Sequence, residues 1–136
     1  MSKRRVLIYG AGGRTGQSIA RHAISRGLDV IVAGRSASAV ACLAQTLGCE
    51  ARTASVDDKS ALATMLRDVG VVINAAGPFE ATASPIVGAC VAARCHYLDV
   101  NGEIQAYRDV AGWDVEAQNA RVLLMPGAGY CVIAST

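Results

Sequence analysis

Gly10, Gly13 and Gly16 recur at every third position, with Gly12 between them, in the run Gly10-Ala11-Gly12-Gly13-Arg14-Thr15-Gly16. This G-x-x-G-x-x-G pattern, which also contains the tighter G-x-G, follows the apolar residues Val6-Leu7-Ile8-Tyr9. It precedes a helical stripe of Ile19, Ala20, Ala23 and Ile24 that Gly27 closes. A buried strand that turns sharply into a helix needs glycine, because a Cβ would block the turn and hold helix and strand apart. The same lack of side chains lets an anion approach the backbone. There the unpaired N–H groups and the positive end of the helix dipole favour it. Strand, glycine turn and helix together predict a phosphate-binding turn at the start of an α/β fold.

The rest of the chain keeps alternating. Residues 30–33 read as a second strand, Ala37–Leu47 as a helix closed by Gly48, 50–56 as a weaker strand and 60–67 as a short helix. Residues 71–74 form a fourth strand. Ser84-Pro85 is expected to open the next helix, since proline is tolerated in a first turn. His96–Asp99 reads as a fifth strand, 103–120 as a helical segment that Gly112 can interrupt, and 121–125 as a sixth strand. The chain has 136 residues, 52% hydrophobic but only 4% aromatic, so Val, Ile, Leu and Ala must fill the core. Parallel strands buried on both faces have that composition. The expected fold is a doubly wound α/β domain over residues 1–125, with helices on both faces of a parallel sheet in the strand order 3-2-1-4-5-6. Residues 126–136 read as a connector towards a second domain absent from this chain.

Several function classes are excluded. A net charge of +2, from 13 basic and 11 acidic residues, is too small an excess for a nucleic-acid surface. Lys3-Arg4-Arg5 reads as a solvated strand entrance. No apolar run approaches the ~20 residues of a membrane span, and the run at residues 6–9 gives way to glycine too soon for a secretory signal. The five cysteines, Cys42, Cys49, Cys90, Cys95 and Cys131, contain no C-x-x-C pair. Neither a metal site nor a disulfide framework is expected, and buried thiols in a reducing cytoplasm fit better. His22 and His96 are not paired with a cysteine or carboxylate at nucleophile spacing.

The residues after the second strand select the ligand. A site for NAD places Asp or Glu there to accept from the ribose 2′-hydroxyl, but this chain has Gly34-Arg35-Ser36. A guanidinium pairs with a 2′-phosphate and a serine hydroxyl donates to it, whereas a carboxylate would repel it. Arg14 adds a second cation. NADP(H) is therefore favoured, with NAD(H) as the alternative. Asp57 falls where an adenine amino group can be bonded, and Asp58 where it can cap a helix. Asn74-Ala75-Ala76-Gly77, after the fourth strand, leave room for ribose and nicotinamide in the crevice at the strands' carboxyl ends. The cofactor residues expected are Gly10, Gly12, Gly13, Arg14, Thr15, Gly16, Gly34, Arg35, Ser36, Asp57, Asn74, Ala75, Ala76 and Gly77.

Five stretches, in this order and spacing, resemble the N-terminal domain of the saccharopine dehydrogenase-like oxidoreductases. They are the glycine run, Ala33-Gly34-Arg35, Asn74-Ala75-Ala76-Gly77-Pro78-Phe79, His96-Tyr97-Leu98-Asp99-Val100-Asn101-Gly102-Glu103 and Pro126-Gly127-Ala128-Gly129-Tyr130. The resemblance implies a Rossmann domain binding NADP(H) or NAD(H), followed by a substrate and dimerisation domain. It carries cofactor contacts to Gly10, Gly13, Arg14, Thr15, Arg35, Asn74, Ala75 and Gly77. Cys131 departs from the pattern, standing where relatives often have Asp.

Tyr97, Asp99 and Glu103 are the candidates for proton transfer to a substrate, although an Asp at a strand end and a Glu at a helix start more often satisfy backbone groups. The function expected is hydride transfer between nicotinamide and an unidentified small molecule, the hydride chemistry belonging to the cofactor. The substrate would be held through the absent domain, and a homodimer stays open. The alternative is a non-catalytic dinucleotide-binding redox sensor or regulatory module. A short-chain reductase-like enzyme is disfavoured: there is no Tyr-x-x-x-Lys pair, Lys3 and Lys59 being the only lysines.

Overall fold

Alternating Val, Ile and Leu give the central strands two apolar faces. The computed structural model, which describes residues 5–129, shows where each face is buried. Strands β1 (Arg5–Tyr9), β2 (Val30–Gly34), β3 (Glu50–Thr53), β4 (Val69–Asn74), β5 (His96–Asp99) and β6 (Leu124–Met125) form one sheet in the order 3-2-1-4-5-6. Every pairing is parallel. Val6, Ile8, Val30 and Val32 face helices α1 (Arg14–Ser25) and α2 (Ala37–Leu47), packing with Ala20, Ala23, Val40 and Leu43. Leu7, Tyr9, Ile31 and Ala33 point the other way, towards α3 (Lys59–Met65), α4 (Phe79–Ala93) and α5 (Ile104–Ala111). Helix α6 (Asp114–Ala120) follows a break at Gly112, where Trp113 lays its ring on Gly88 and donates its Nε1–H to Ser84 Oγ at 3.1 Å. This is the doubly wound Rossmann arrangement expected from the alternation. Chain direction across the sheet reverses between β1 and β4, so the loops after these strands part and leave a crevice.

Some element boundaries differ from the sequence reading. Helix α4 begins at Phe79, not at Ser84-Pro85, and Pro85 lies inside it. The Pro78 carbonyl starts the helix early by accepting from the N–H groups of Ala81 and Thr82 at 3.1 and 3.3 Å. Pro85 then withholds one N–H from the carbonyl of Ala81, a residue on the exposed side. Helix α1 already begins at Arg14, inside the glycine run, rather than at residue 17. Strand β6 is shorter than residues 121–125, because Arg121 takes a left-handed conformation at φ 58° and ends α6. Strand β3 stops at Thr53, ahead of a turn closed by the Asp58 N–H on the Ser55 carbonyl at 3.1 Å. Cys90 and Cys95 are buried as expected, but Cys42 is exposed on α2 and Cys49 is half-buried. Cys131 and most of the proposed connector lie outside the described residues.

Towards β6 one face of the sheet becomes more exposed. Ile73, Leu98 and Met125 stand in register across β4, β5 and β6. Tyr97 and Leu124 pack into the core on the α3–α5 side, so by alternation Leu98 and Met125 face the other way. Ile73 packs partly against the core on the α1–α2 side, Leu98 is half-buried, and Met125 is 42% exposed.

An ion network joins the amino ends of the first three strands. Arg5 Nε meets Asp29 at 3.0 Å, and Arg52 Nε meets Glu50 at 2.7 Å; Arg5 also pairs with Glu50 at 2.6 Å. Arg52 additionally donates to the carbonyls of Met65 and Arg67 at 2.8 and 2.6 Å, satisfying the C-terminal end of α3. Arg52 foremost, with Arg5, holds the Glu50 carboxyl below its ordinary range. A carboxyl lowered by folding adds stability above its unfolded pKa, and that stability is lost as pH falls through the folded value. Solvent reaches these side chains, so the contribution is roughly 0.5–1 kcal/mol. Glu50→Gln is expected to lower the unfolding free energy by about that amount at neutral pH, in urea titrations. The deficit should fade as pH drops below about 4; a deficit that does not change with pH would rule out this ionic origin.

Candidate cofactor site

The turn between β1 and α1 is fixed from two sides. Gly10 has a φ of +82°, and a Cβ there would lie 2.7 Å from the Ala76 nitrogen and 2.8 Å from the Ala75 carbonyl carbon. Gly16 sits in α1 directly against the Gly10 carbonyl and the Ala11 Cα, where any side chain would collide. Gly10 and Ala11 donate their N–H groups to the Ala33 carbonyl at 2.9 and 3.1 Å, pinning the turn to β2. Gly13 caps α1 without a side-chain acceptor, and the first turn holds no acidic residue. The N–H groups of that turn are thus offered to an external anion, with Arg14 and Thr15 exposed beside them.

Gly10, Gly12 and Gly13 border a crevice of about 500 Å³. Gly34, Arg35, Ser36 and Asp57 line it from the ends of β2 and β3, and Ala76 and Gly77 from the end of β4. Tyr9 also lines it and donates its hydroxyl to the Ala54 carbonyl at 2.9 Å. Burial raises the Tyr9 phenol above its ordinary value, while the nearby Arg35 charge pulls it down. Ser36 caps α2 by accepting from the Ala39 N–H at 3.4 Å, and Asp58 caps α3 by accepting from Ala61 at 2.9 Å. A dinucleotide fits these features: bare glycine backbone, helix N–H groups and a cation where β2 ends.

Of the other expected cofactor residues, Gly16 and Asn74 are buried behind the crevice and Ala75 is half-buried. Asn74 donates Nδ2–H to Thr82 Oγ1 at 3.1 Å and to the Tyr97 hydroxyl at 3.2 Å, and its Oδ1 accepts from the Ala76 N–H at 3.0 Å. Thr82 donates to the Ala76 carbonyl at 2.7 Å, so the crevice loop is held by both. Thr82 escaped the sequence reading because α4 was expected to begin after it.

Tyr97 and Asp99 are fully buried, the Tyr97 hydroxyl donating to Asp99 Oδ2 at 2.6 Å. Burial above all, then the Asp99 carboxylate, pushes the Tyr97 phenol well above its ordinary range, so the hydroxyl keeps its proton. Glu103 accepts from the Glu80 N–H at 2.9 Å, in the first turn of α4. The three candidates for proton transfer are thus joined to backbone and side chains around the crevice, and none of them lines it.

The chain's sequence decides the lineage of this site. Residues 6–125 match the family model described as the saccharopine dehydrogenase NADP binding domain. The chain belongs to that family. Its cofactor is the one favoured by Arg35 and Ser36, NADP(H). A putative trans-acting enoyl reductase of Mycobacterium tuberculosis is 33% identical over 105 residues, covering 72% of this chain and 25% of that protein. A probable mitochondrial saccharopine dehydrogenase-like oxidoreductase of Arabidopsis thaliana is 28% identical over 145 residues, covering 92% of this chain and 31% of its own. The structure of saccharopine dehydrogenase (L-Glu forming) from Saccharomyces cerevisiae superposes with a TM-score of 0.78 at 25% identity, over 93% of this chain and 27% of that one. This saccharopine dehydrogenase-family domain therefore spans about a quarter to a third of the length of such relatives.

The glycines separate fold from ligand. Gly16→Ala is expected to destabilise the domain by about 2–3 kcal/mol in denaturant titrations, because backbone must move. Gly12 faces open space, with Ala39 Cβ 3.6 Å from where its own Cβ would be. Gly12→Ala should therefore leave stability within about 0.5 kcal/mol of wild type and weaken NADPH binding. Unchanged NADPH affinity in Gly12→Ala would show that no ligand approaches the turn.

Proposed function

We propose that this chain is the NADP(H)-holding part of an oxidoreductase that passes hydride between nicotinamide and a small-molecule substrate, the substrate being held by further polypeptide. The observation that carries this reading is the crevice where the sheet reverses direction. It combines bare glycine backbone with Arg35 and Ser36 at the end of β2, where an NAD site would have a carboxylate. In this reading Gly12, Gly13 and the first-turn N–H groups of α1 hold the pyrophosphate. Arg35 and Ser36, with Arg14 nearby, hold the 2′-phosphate, and Asp57 takes the adenine amino group. The backbone from Ala75 to Gly77 borders the nicotinamide ribose, with Asn74 shaping it from behind. The bound cofactor supplies the hydride chemistry, and these residues bind and orient it.

The row Ile73, Leu98 and Met125, which grows more exposed towards the β6 edge, supports the second half of the reading. Parallel sheets are covered on both faces, and a substrate domain seated there would supply the cover; a homodimer would form through that same domain. Cys42 and Cys49 are free thiols, which suits a reducing compartment such as the cytoplasm.

Calorimetric titration of the chain with NADPH and NADH tests the assignment. NADPH is expected to bind more tightly, and Arg35→Ala to weaken NADPH about tenfold or more while leaving NADH unchanged, as loss of a charge-assisted contact requires. A surviving NADPH preference in Arg35→Ala would remove Arg35 from the site, and no binding of either nucleotide by the wild-type chain would overturn the reading.

A further inference from the structure

Asp99 lines no part of the crevice, yet its buried carboxyl group is bonded on both oxygens. Oδ2 accepts from the Tyr97 hydroxyl at 2.6 Å. Oδ1 accepts from the Asn101 N–H at 3.1 Å, from Asn101 Nδ2 at 2.6 Å and from the Gly127 N–H at 2.7 Å. The Tyr97 hydroxyl itself accepts from Asn74 Nδ2, so its single proton is committed to Asp99. Burying a carboxylate is costly unless donors surround it, and here every partner is a donor.

These partners lie on different pieces of chain. Tyr97 belongs to β5, Asn101 to the loop after it, and Gly127 to the segment leaving β6. Gly127 has a φ of +72°, and the Tyr107 ring and hydroxyl occupy the space its side chain would need. From Tyr97 the bonds continue through Asn74 to the Ala76 N–H, and Ala76 lines the crevice against Gly10. One continuous hydrogen-bonded path therefore runs from Gly127 to the turn-facing loop.

We propose that Asp99 is a positioning residue that couples the segment leaving β6 to the crevice loop after β4, so that seating of the cofactor and seating of that segment stabilise each other. The coupling is reciprocal by linkage. This inference rests on the crevice being the cofactor site. It assigns Asp99 and Tyr97 a role that requires neither to exchange a proton with substrate.

Amide hydrogen exchange of the full chain, followed by NMR with and without saturating NADPH, reads the coupling. In the wild-type chain NADPH is expected to slow exchange at the Gly127 N–H by about fivefold or more. Tyr97→Phe removes the hydroxyl between Asn74 and Asp99 but leaves the Asp99–Gly127 bond. There NADPH should still bind, with slowing at Gly127 of less than about twofold. Asp99→Asn is read in parallel, in case Tyr97→Phe fails to fold. It should speed basal Gly127 exchange and weaken NADPH several-fold, though Asp99 touches no ligand. Equal slowing in wild type and Tyr97→Phe, or NADPH binding without any slowing in wild type, overturns the coupling alone. An Asp99→Asn chain with unchanged exchange and affinity does the same. Failure of the wild-type chain to bind NADPH overturns the cofactor reading and the coupling together.

Discussion

Everything in the cofactor half of this domain depends on two backbone approaches too close for a side chain. Gly16 against the Gly10 carbonyl sets how deeply α1 sinks onto β1, and Gly10 against Ala75 and Ala76 sets how near the β4 loop comes to the turn. Close-packed interiors transmit such constraints because there is no free volume to absorb a shift. The width of the crevice, the direction in which the α1 N–H groups point and the placement of Ala76 follow from these contacts. The hydrogen bonds from Gly10 and Ala11 to Ala33 then extend the constraint to β2, whose end carries Arg35.

Polar groups divide by which way they face. Arg14, Arg35 and Asp57 are exposed and free to meet a ligand, whereas Asn74, Tyr97, Asp99 and Asn101 are buried and turned on one another, and Thr82 joins this network while bordering the crevice. Among the described residues no buried side-chain nitrogen or oxygen lacks a hydrogen-bond partner. A satisfied buried network is rigid, because any displacement strands a donor or acceptor where water cannot replace its partner. The open face of the site is thereby held on a base that resists deformation, as precise ligand placement requires.

The fold was legible because its signals are local. Strand periodicity, glycine spacing and the alternation of elements each lie within a few residues, and chain direction follows from short crossovers. The residues lining the crevice from the first two strand ends were legible for the same reason. The start of α4 was not. Ser84-Pro85 has the local form of a helix start, but Pro78 begins the helix and Glu103, 23 residues further along, bonds Glu80 in its first turn. The Arg52 cap on α3 was hidden likewise, its carbonyl partners lying 13 and 15 residues away, and Thr82 was missed because α4 was expected to begin after it. Tyr97 and Asp99 were legible as a polar cluster, but their direction was not: alternation in β5 places both on the buried face, where each finds a partner.

The far side of the sheet shows how two kinds of contact share a boundary. Ile73, Leu98 and Met125 offer an apolar row, and β6, only two residues long, is an edge strand with Leu123 exposed just before it. Apolar cover is non-directional and could be satisfied by many arrangements of a neighbouring segment. The bond from Gly127 to Asp99 is directional and tolerates little displacement. In the proposed reading a substrate domain would cover the apolar row, and the bond to Asp99 fixes the course of the chain at Gly127. A domain that must present substrate to a cofactor needs both, because burial alone would hold the two halves together without holding them in register.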